Sequence, residues 1–404
     1  MNLSGPNTRG PLPGGICAML ARSLRMLVPS VLLLLAWGCS SRGQQTARAE
    51  EREPATQVQN EESRLTLPQG FRVGIFASSL NRPRMMAVSP DGRLFVTETG
   101  AGRVTVLPDA DGNGRADSHV TYASGLNQPH GIAFHGSYLY IAETDRVIRY
   151  PYKAGDSRAP RPEVIVPGIP SGRGHSTRTI AFGQDGKMYL SVGSSCNVCI
   201  ESNPLRAAII RYNADGSGRQ IFATGLRNSV GLAFRPGTNE LWATDNGRDN
   251  LGDNVPPDEV NIIRQGGFYG WPYAYGNRVP DPEFGKRAPA KVRATIPPKI
   301  AIQAHSAPLG LTFYTGDMFP AGYRGDLFVA YHGSWNRSVP TGYKVVRFAI
   351  DGSNIGSQQD FITGWRPQGQ SAWGRPVGLQ VGRKGELYVT DDTGGRVYRV
   401  VYSR

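Results

Sequence analysis

Six copies of a three-part pattern run through residues 85–400 of this 404-residue chain, and that repetition constrains its fold more than any other property. In each copy a short apolar segment leads through a turn into a Leu/Met-aromatic-aliphatic-small segment, acidic at its end in four of the six, and an Arg/Val-rich segment follows. The first parts are MMAVSP, HGIAFH, RTIAFG, VGLAFR, LGLTFY and VGLQVG, aligned on Ala87, Ala133, Ala181, Ala233, Thr312 and Gln380. The second parts begin at Leu94, Leu139, Met188, Leu241, Leu327 and Leu387, and the third are RVTVL, RVIRY, AIIRY, EVNII, YKVVRF and RVYRV. Alternation at period two predicts strands, and Asp91-Gly92 and Asp185-Gly186 predict hairpin turns between first and second parts.

Spacings of 46 to 79 residues between aligned positions suit a four-stranded blade with loops of varying length. The expected fold is therefore all-β: a six-bladed β-propeller of four-stranded antiparallel blades. The last copy has three strands, whereas residues 71–76, FRVGIF, precede the first copy without a blade. This N-terminal strand is expected to complete the last blade, closing the ring and covering two open edges. A β-sandwich would not produce six similar units.

The N-terminus reads differently. Residues 20–39 combine a basic stretch with an apolar run too short and too early to span a membrane, so residues 1–39 are expected to be an export signal, with Met19 or Met26 as the start. The run ends in Leu35-Ala36-Trp37-Gly38-Cys39, which is similar to a bacterial lipoprotein box, although Trp37 departs from it. Lipidation of Cys39 and ordinary cleavage nearby both stay open. Residues 40–63, rich in Gln, Glu, Ser, Arg and Ala, are expected to be a flexible linker, and residues 64–404 the propeller domain. The expected location is the periplasm or, with a lipid anchor, the outer membrane.

After such processing only Cys196 and Cys199 remain, and an oxidising compartment favours a disulfide between them. A redox-active pair is the sharper reading. Ile200 stands where c-type haem attachment needs His. The formal charge of +13 comes from scattered Lys and Arg, which points to a bound anion or an anionic outer surface before nucleic acid.

In a propeller the innermost strands line a central channel, so residues just before the six first parts converge at one mouth. These are Arg84, His130, His175 with Arg178, Arg227 with Asn228, His305 and Arg375, with few carboxylates expected among them. Taken singly each has an ordinary structural explanation. Together they predict a site for a multiply charged anion held by guanidinium groups, with a histidine kept neutral by its cationic neighbours as a general base.

The segments around this ring are GHSTRTIAFGQDGKMYLSVGSSCNVC from Gly174, FATGLRNSVGLAF from Phe222, ATDNGRD followed by PPDEVNII, GGFYGWPYAYG from Gly266, HGSWNRSVPTGY from His332 and GRPVGLQV from Gly374. In this order they resemble the quinoprotein sugar dehydrogenases, which carry pyrroloquinoline quinone on a six-bladed propeller, over roughly residues 65–402. The sorbosone dehydrogenase branch is the nearest within that resemblance. It implies oxidation of a sugar or sugar aldehyde, with His175 as base, Arg227 and Asn228 beside the reacting carbonyl, and an external quinone or cytochrome as electron acceptor.

The resemblance further implies that Arg375 binds a cofactor carboxylate, that His130, Arg178, Trp335, Asn336 and Arg337 also contact the cofactor, and that the backbone carbonyls of Gly247 and Arg248 help the quinone hold Ca²⁺. The sequence departs from soluble glucose dehydrogenase where an Asp orients the base: Ser194 and Ser195 stand there. Residues 109–114 with Asp117 have the alternating oxygens of a calcium loop without its closing Glu, or form an acidic surface turn. Two rival readings remain, a calcium-dependent lactone hydrolase and a non-catalytic binding module.

Overall fold

The computed structural model describes residues 61–403, which form a six-bladed β-propeller. The expected signal segment, Cys39 and most of the expected linker lie outside the described residues. The linker's last residues are already part of the domain. Glu61 accepts from Arg396, and Glu62 accepts from the Ile75 amide at 2.7 Å, so these two residues pack on the propeller.

The repeats become strands as read. Blade 1 is Pro83–Val88, Leu94–Glu98, Arg103–Leu107 and Val120–Ser124, and each later blade follows the same antiparallel order. In the fourth blade the outer strand, Ile300–Ile302, arrives only after a long excursion that also lends Gly267–Phe268 to the third blade as a parallel fifth strand. Phe71–Ala77 pairs antiparallel with Arg396–Tyr402, Phe71 opposite Tyr402 and Ile75 opposite Tyr398, so the N-terminal strand completes the last blade.

The second strands Leu94–Glu98, Leu241–Asp245 and Leu387–Asp391 are buried at every residue. Both of their faces meet neighbouring blades, which is why they read as unbroken apolar runs ending in a small and an acidic residue. The core therefore lies largely between blades: Phe95 packs with Phe134 and Tyr152, Trp242 with Phe313, and Trp365 with Tyr398.

Two recurring residue types explain how the inner strands close on one another. A Cβ on Gly231, Gly310 or Gly378 would stand 2.3–2.4 Å from a carbonyl oxygen of the next blade's inner strand, so only glycine fits the close approach. Three threonines, each one residue before the acidic end of a second strand, then cross the seams. Thr97 donates to His130 O, Thr244 to Leu309 O and Thr390 to Arg84 O, at 2.6–2.9 Å. Below the mouth, Val230, Leu309, Val377 and Met85 form an apolar plug that narrows the channel.

Candidate functional site at the channel mouth

Inner strands begin, and second strands end, at the same mouth, so two sets of loops meet there. Acidic strand ends anchor the inner-strand starts. Asp245 accepts from the Arg227 and Asn228 amides, and Asp391 accepts from the Arg375 amide. In the third blade the second strand ends instead at Val192, and Gly193 and Ser194 follow it. Gly193 lies between His175 and Asn228; a Cβ there would be 2.7 Å from His175 Cβ and 2.9 Å from Asn228 Oδ1. The structure thus brings His175 and Asn228 together across a glycine.

His175 Nδ1 lies 3.2 Å from the Ser194 carbonyl and 3.1 Å from Ser194 Oγ. Because Ser194 Oγ itself donates to Cys196 O, the imidazole proton belongs on Nδ1, which leaves the Nε2 lone pair unprotonated. Burial first, then the charge of Arg227, pushes the His175 pKa down to about 3 against the Ser194 hydrogen bond, with Arg206 and Arg178 adding to the depression. The ring is neutral at ordinary pH.

Arg227 is buried and every donor nitrogen is used. Nε donates to Asn197 O, Nη1 to the Gly247 and Asn246 carbonyls, and Nη2 to Asn197 Oδ1 and Asp249 Oδ2. Asn336 Nδ2 reaches the other oxygen of Asp249 at 2.9 Å, which ties the loop after His332 to the Arg227 side. At its other end that loop meets Asp392, which accepts from His332 Nε2 at 2.9 Å and Arg84 Nη1 at 2.5 Å. Burial raises the Asp392 pKa, but the His332 hydrogen bond and the charges of His332 and Arg84 outweigh it and hold the group well below the usual carboxylate range.

Several expectations need correction. The ring is not poor in carboxylates, because Asp249 neutralises Arg227 and Asp392 neutralises Arg84. Arg178 is fully buried and donates to the His175, Thr177 and Pro170 carbonyls, so it braces the His175 loop instead of offering charge to a ligand. His130 is 1% exposed, with Nε2 3.5 Å from Arg84 and Nδ1 facing Arg178 O and Thr179, so its ring is spent within the wall. His305 ties down a loop through Gly252 O.

The carbonyl of Gly247 faces Arg227 Nη1 at 2.8 Å, and the side chain of Arg248 turns to Asp281. A guanidinium so close opposes a second cation, so the Gly247 carbonyl as arranged does not fit Ca²⁺. The turn at residues 109–114 is an acidic surface turn. Its carboxylates accept from the turn's own amides: Asp117 from Ala110, Asp111 from Asn113 and Asp109 from Gly114. Among the described residues the one group of three suitable metal donors is Cys196, Cys199 and Glu201, and the two cysteines are joined in a disulfide.

Cations with no carboxylate partner gather instead beside the fifth and sixth blades. Arg366 and Arg375 flank the ring of Tyr343, 5.8 and 4.9 Å from its centroid, and line an open depression with Gly369, Gln370, Ser371 and Ala372. Arg375 spends only Nη1, on the carbonyls of Gly333 and His332. Arg337 donates through Nη2 to Asn254 while its buried Nε has no partner, and Trp335 beside it is 73% exposed. His332, Asp392, Asp249 and Asn197 are polar residues that the sequence alone did not single out; all four follow second strands directly or within five residues, and the recurrence of acidic residues at those ends was the available signal.

Residues 65–276 and 290–403 match the family model described as TrAA12-like. The chain is 34% identical to an uncharacterised protein of Borreliella burgdorferi over 358 residues, 85% of this chain and 92% of that protein. It is 26% identical to a pyrroloquinoline quinone-dependent pyranose dehydrogenase of Coprinopsis cinerea, covering 83% of this chain but 54% of that enzyme, so the chain spans about half the length of this relative. The solved quinone-binding domain of the Coprinopsis enzyme superposes with a TM-score of 0.72 at 25% identity, over 83% of this chain and 97% of the domain.

Proposed function

The chain belongs to the TrAA12-like family, and on that footing we propose that it is a quinoprotein dehydrogenase oxidising a sugar or sugar aldehyde, with pyrroloquinoline quinone as hydride acceptor. The observation that carries this reading is His175: a neutral imidazole with an unprotonated Nε2, packed against Asn228 across Gly193 and lying in the field of Arg227. A binding surface would not require an imidazole in that state.

The cations fit the cofactor's chemistry. Arg366 and Arg375 lack carboxylate partners and flank an aromatic ring, an arrangement suited to holding a planar polycarboxylate. Pyrroloquinoline quinone, when bound, supplies a carbonyl centre that accepts hydride from a substrate C–H. His175 Nε2 takes the proton of the substrate hydroxyl, and Ser194 keeps that nitrogen free by holding Nδ1–H. Arg227, its donors committed elsewhere, contributes through its charge, and Asn228 through its amide. A bound anion offsets the cations that depress His175 and so makes it a stronger base.

The substrate falls in the aldose or sorbosone class, electrons leave to an external quinone or cytochrome, and the protein works after export, with Cys39 as the point of any lipid anchor. The test is titration of the protein with pyrroloquinoline quinone, followed by dye reduction with a panel of aldoses and sorbosone, beside His175→Ala. Dye reduction that falls by about a hundredfold or more in the variant, with cofactor binding kept, is the expected result. Failure of the cofactor to bind ends the dehydrogenase reading, and tight binding without dye reduction favours a binding module.

A further inference from the structure

The third blade lacks the acidic residue that ends the second strand in the first, fourth and sixth blades and follows it in the second, and it is also the blade that carries the disulfide. We propose that the hairpin closed by Cys196 and Cys199 is the positioning element of the site, fixing His175 through Ser194 and Arg227 through Asn197. The role assigned to His175 and Arg227 rests on the dehydrogenase reading above, whereas the geometry of the clamp does not.

Asn197 sits inside the four-residue ring that the disulfide closes, and all its polar side-chain atoms are engaged. Oδ1 accepts from Arg227 Nη2 at 2.9 Å and from the Asp249 amide at 2.8 Å, while Nδ2 donates to Asp249 O at 3.2 Å. Its carbonyl accepts from Arg227 Nε at 2.9 Å and Trp271 Nε1 at 3.2 Å. One residue therefore grips the guanidinium at two nitrogens and also holds the backbone of Asp249, whose carboxylate pairs with it.

Ser194 works on the other side of the same turn. It is fully buried; its amide donates to Arg227 O at 2.8 Å, its hydroxyl to Cys196 O at 2.6 Å, and its carbonyl accepts the His175 amide at 3.0 Å. Glu201 secures the turn from outside by accepting from the Ser195 amide at 2.5 Å and the Ser195 hydroxyl at 2.8 Å. The disulfide restricts the hairpin to few conformations, and this one joins the imidazole to the guanidinium. Asn197 and Ser194 are positioning residues, since each acts through another side chain.

The first readout needs no cofactor: the rate at which phenylglyoxal labels Arg227, followed by peptide mass spectrometry. Opening the clamp in C196S/C199S or Asn197→Ala removes charge-assisted hydrogen bonds and is expected to speed labelling on the order of tenfold. Asn197→Asp keeps an acceptor for the guanidinium and is expected to return the rate toward wild type. The second readout is the reconstituted enzyme, where misplacement lowers kcat on the order of a hundredfold with a smaller change in KM.

Asn197→Ala leaves the disulfide in place, so it decides the matter if the double serine variant does not fold. Labelling at the wild-type rate in a folded Asn197→Ala protein overturns the proposal. Faster labelling in a protein that binds no pyrroloquinoline quinone upholds the clamp and overturns the dehydrogenase reading instead.

Discussion

Thr390 Oγ1 donates to the carbonyl of Arg84 at 2.6 Å, joining the last blade to the first across the seam where the ring closes. The same oxygen accepts from the Gly378 amide at 2.7 Å, so one buried hydroxyl satisfies two backbone groups. Thr390→Val keeps the shape and strands both partners, at an expected cost of about 2 kcal/mol in unfolding free energy. Urea denaturation measures it, and an unchanged midpoint would show that the seam does not depend on this bond.

Arg375 tests the anion site. It has no carboxylate partner and stacks over Tyr343, so Arg375→Ala leaves few native contacts unsatisfied. Binding of pyrroloquinoline quinone, followed by fluorescence titration, is expected to weaken by about 2 kcal/mol, with little loss of thermal stability. Equal affinity in variant and wild type would place the cofactor's carboxylates elsewhere.

Asp392 is a structural counter-ion. Arg84 beside it is buried, and Asp392→Asn leaves that cation without its partner, at an expected cost of about 3 kcal/mol. Differential scanning calorimetry is the measurement. A smaller loss for Asp392→Asn combined with Arg84→Met than for Asp392→Asn alone would trace the cost to the stranded charge.

His130 gives a pH dependence whose sign follows from its surroundings. Burial first, then Arg84, lowers its pKa well below 6.5, so the folded protein holds it neutral. Below pH 6.5 the unfolded chain takes up a proton that the folded chain refuses; this contribution to stability is complete above 6.5 and is lost as the pH falls. Relative to His130→Gln, wild-type unfolding free energy is expected to drop by up to about 1.4 kcal/mol per pH unit below that point. Urea midpoints at mildly alkaline and mildly acid pH provide the comparison, and a difference that does not change with pH would refute it.

Much of the fold could be read from the sequence because the signal is local and repeated. Period-two segments such as LFVTE and LYVTD are buried on both faces, and the glycines of VGLAF, LGLTF and VGLQV mark where inner strands nearly touch. The closing strand was legible because residues 71–76 had no blade of their own. The site was legible only where it is attached to the repeats: His175, Arg227, Asn228 and Arg375 each precede an inner strand.

What the sequence could not show is how charge is spent. Arg178 and Arg375 look alike in sequence, yet one is enclosed by carbonyls and the other faces a depression. Asp392 reaches Arg84 across 308 positions, and Asn197 reaches Arg227 across 30, distances at which local pattern carries no pairing information.

The pairing of Phe71–Ala77 with Arg396–Tyr402 has a consequence for the order of assembly. During synthesis the strand at the front of the domain emerges long before the one it must lie beside, and five blades can stack while it waits with an unsatisfied edge. Closure acts on the whole circle at once: losing the final seven-residue strand would set the first adrift as well, so damage at either end of the propeller is felt at both.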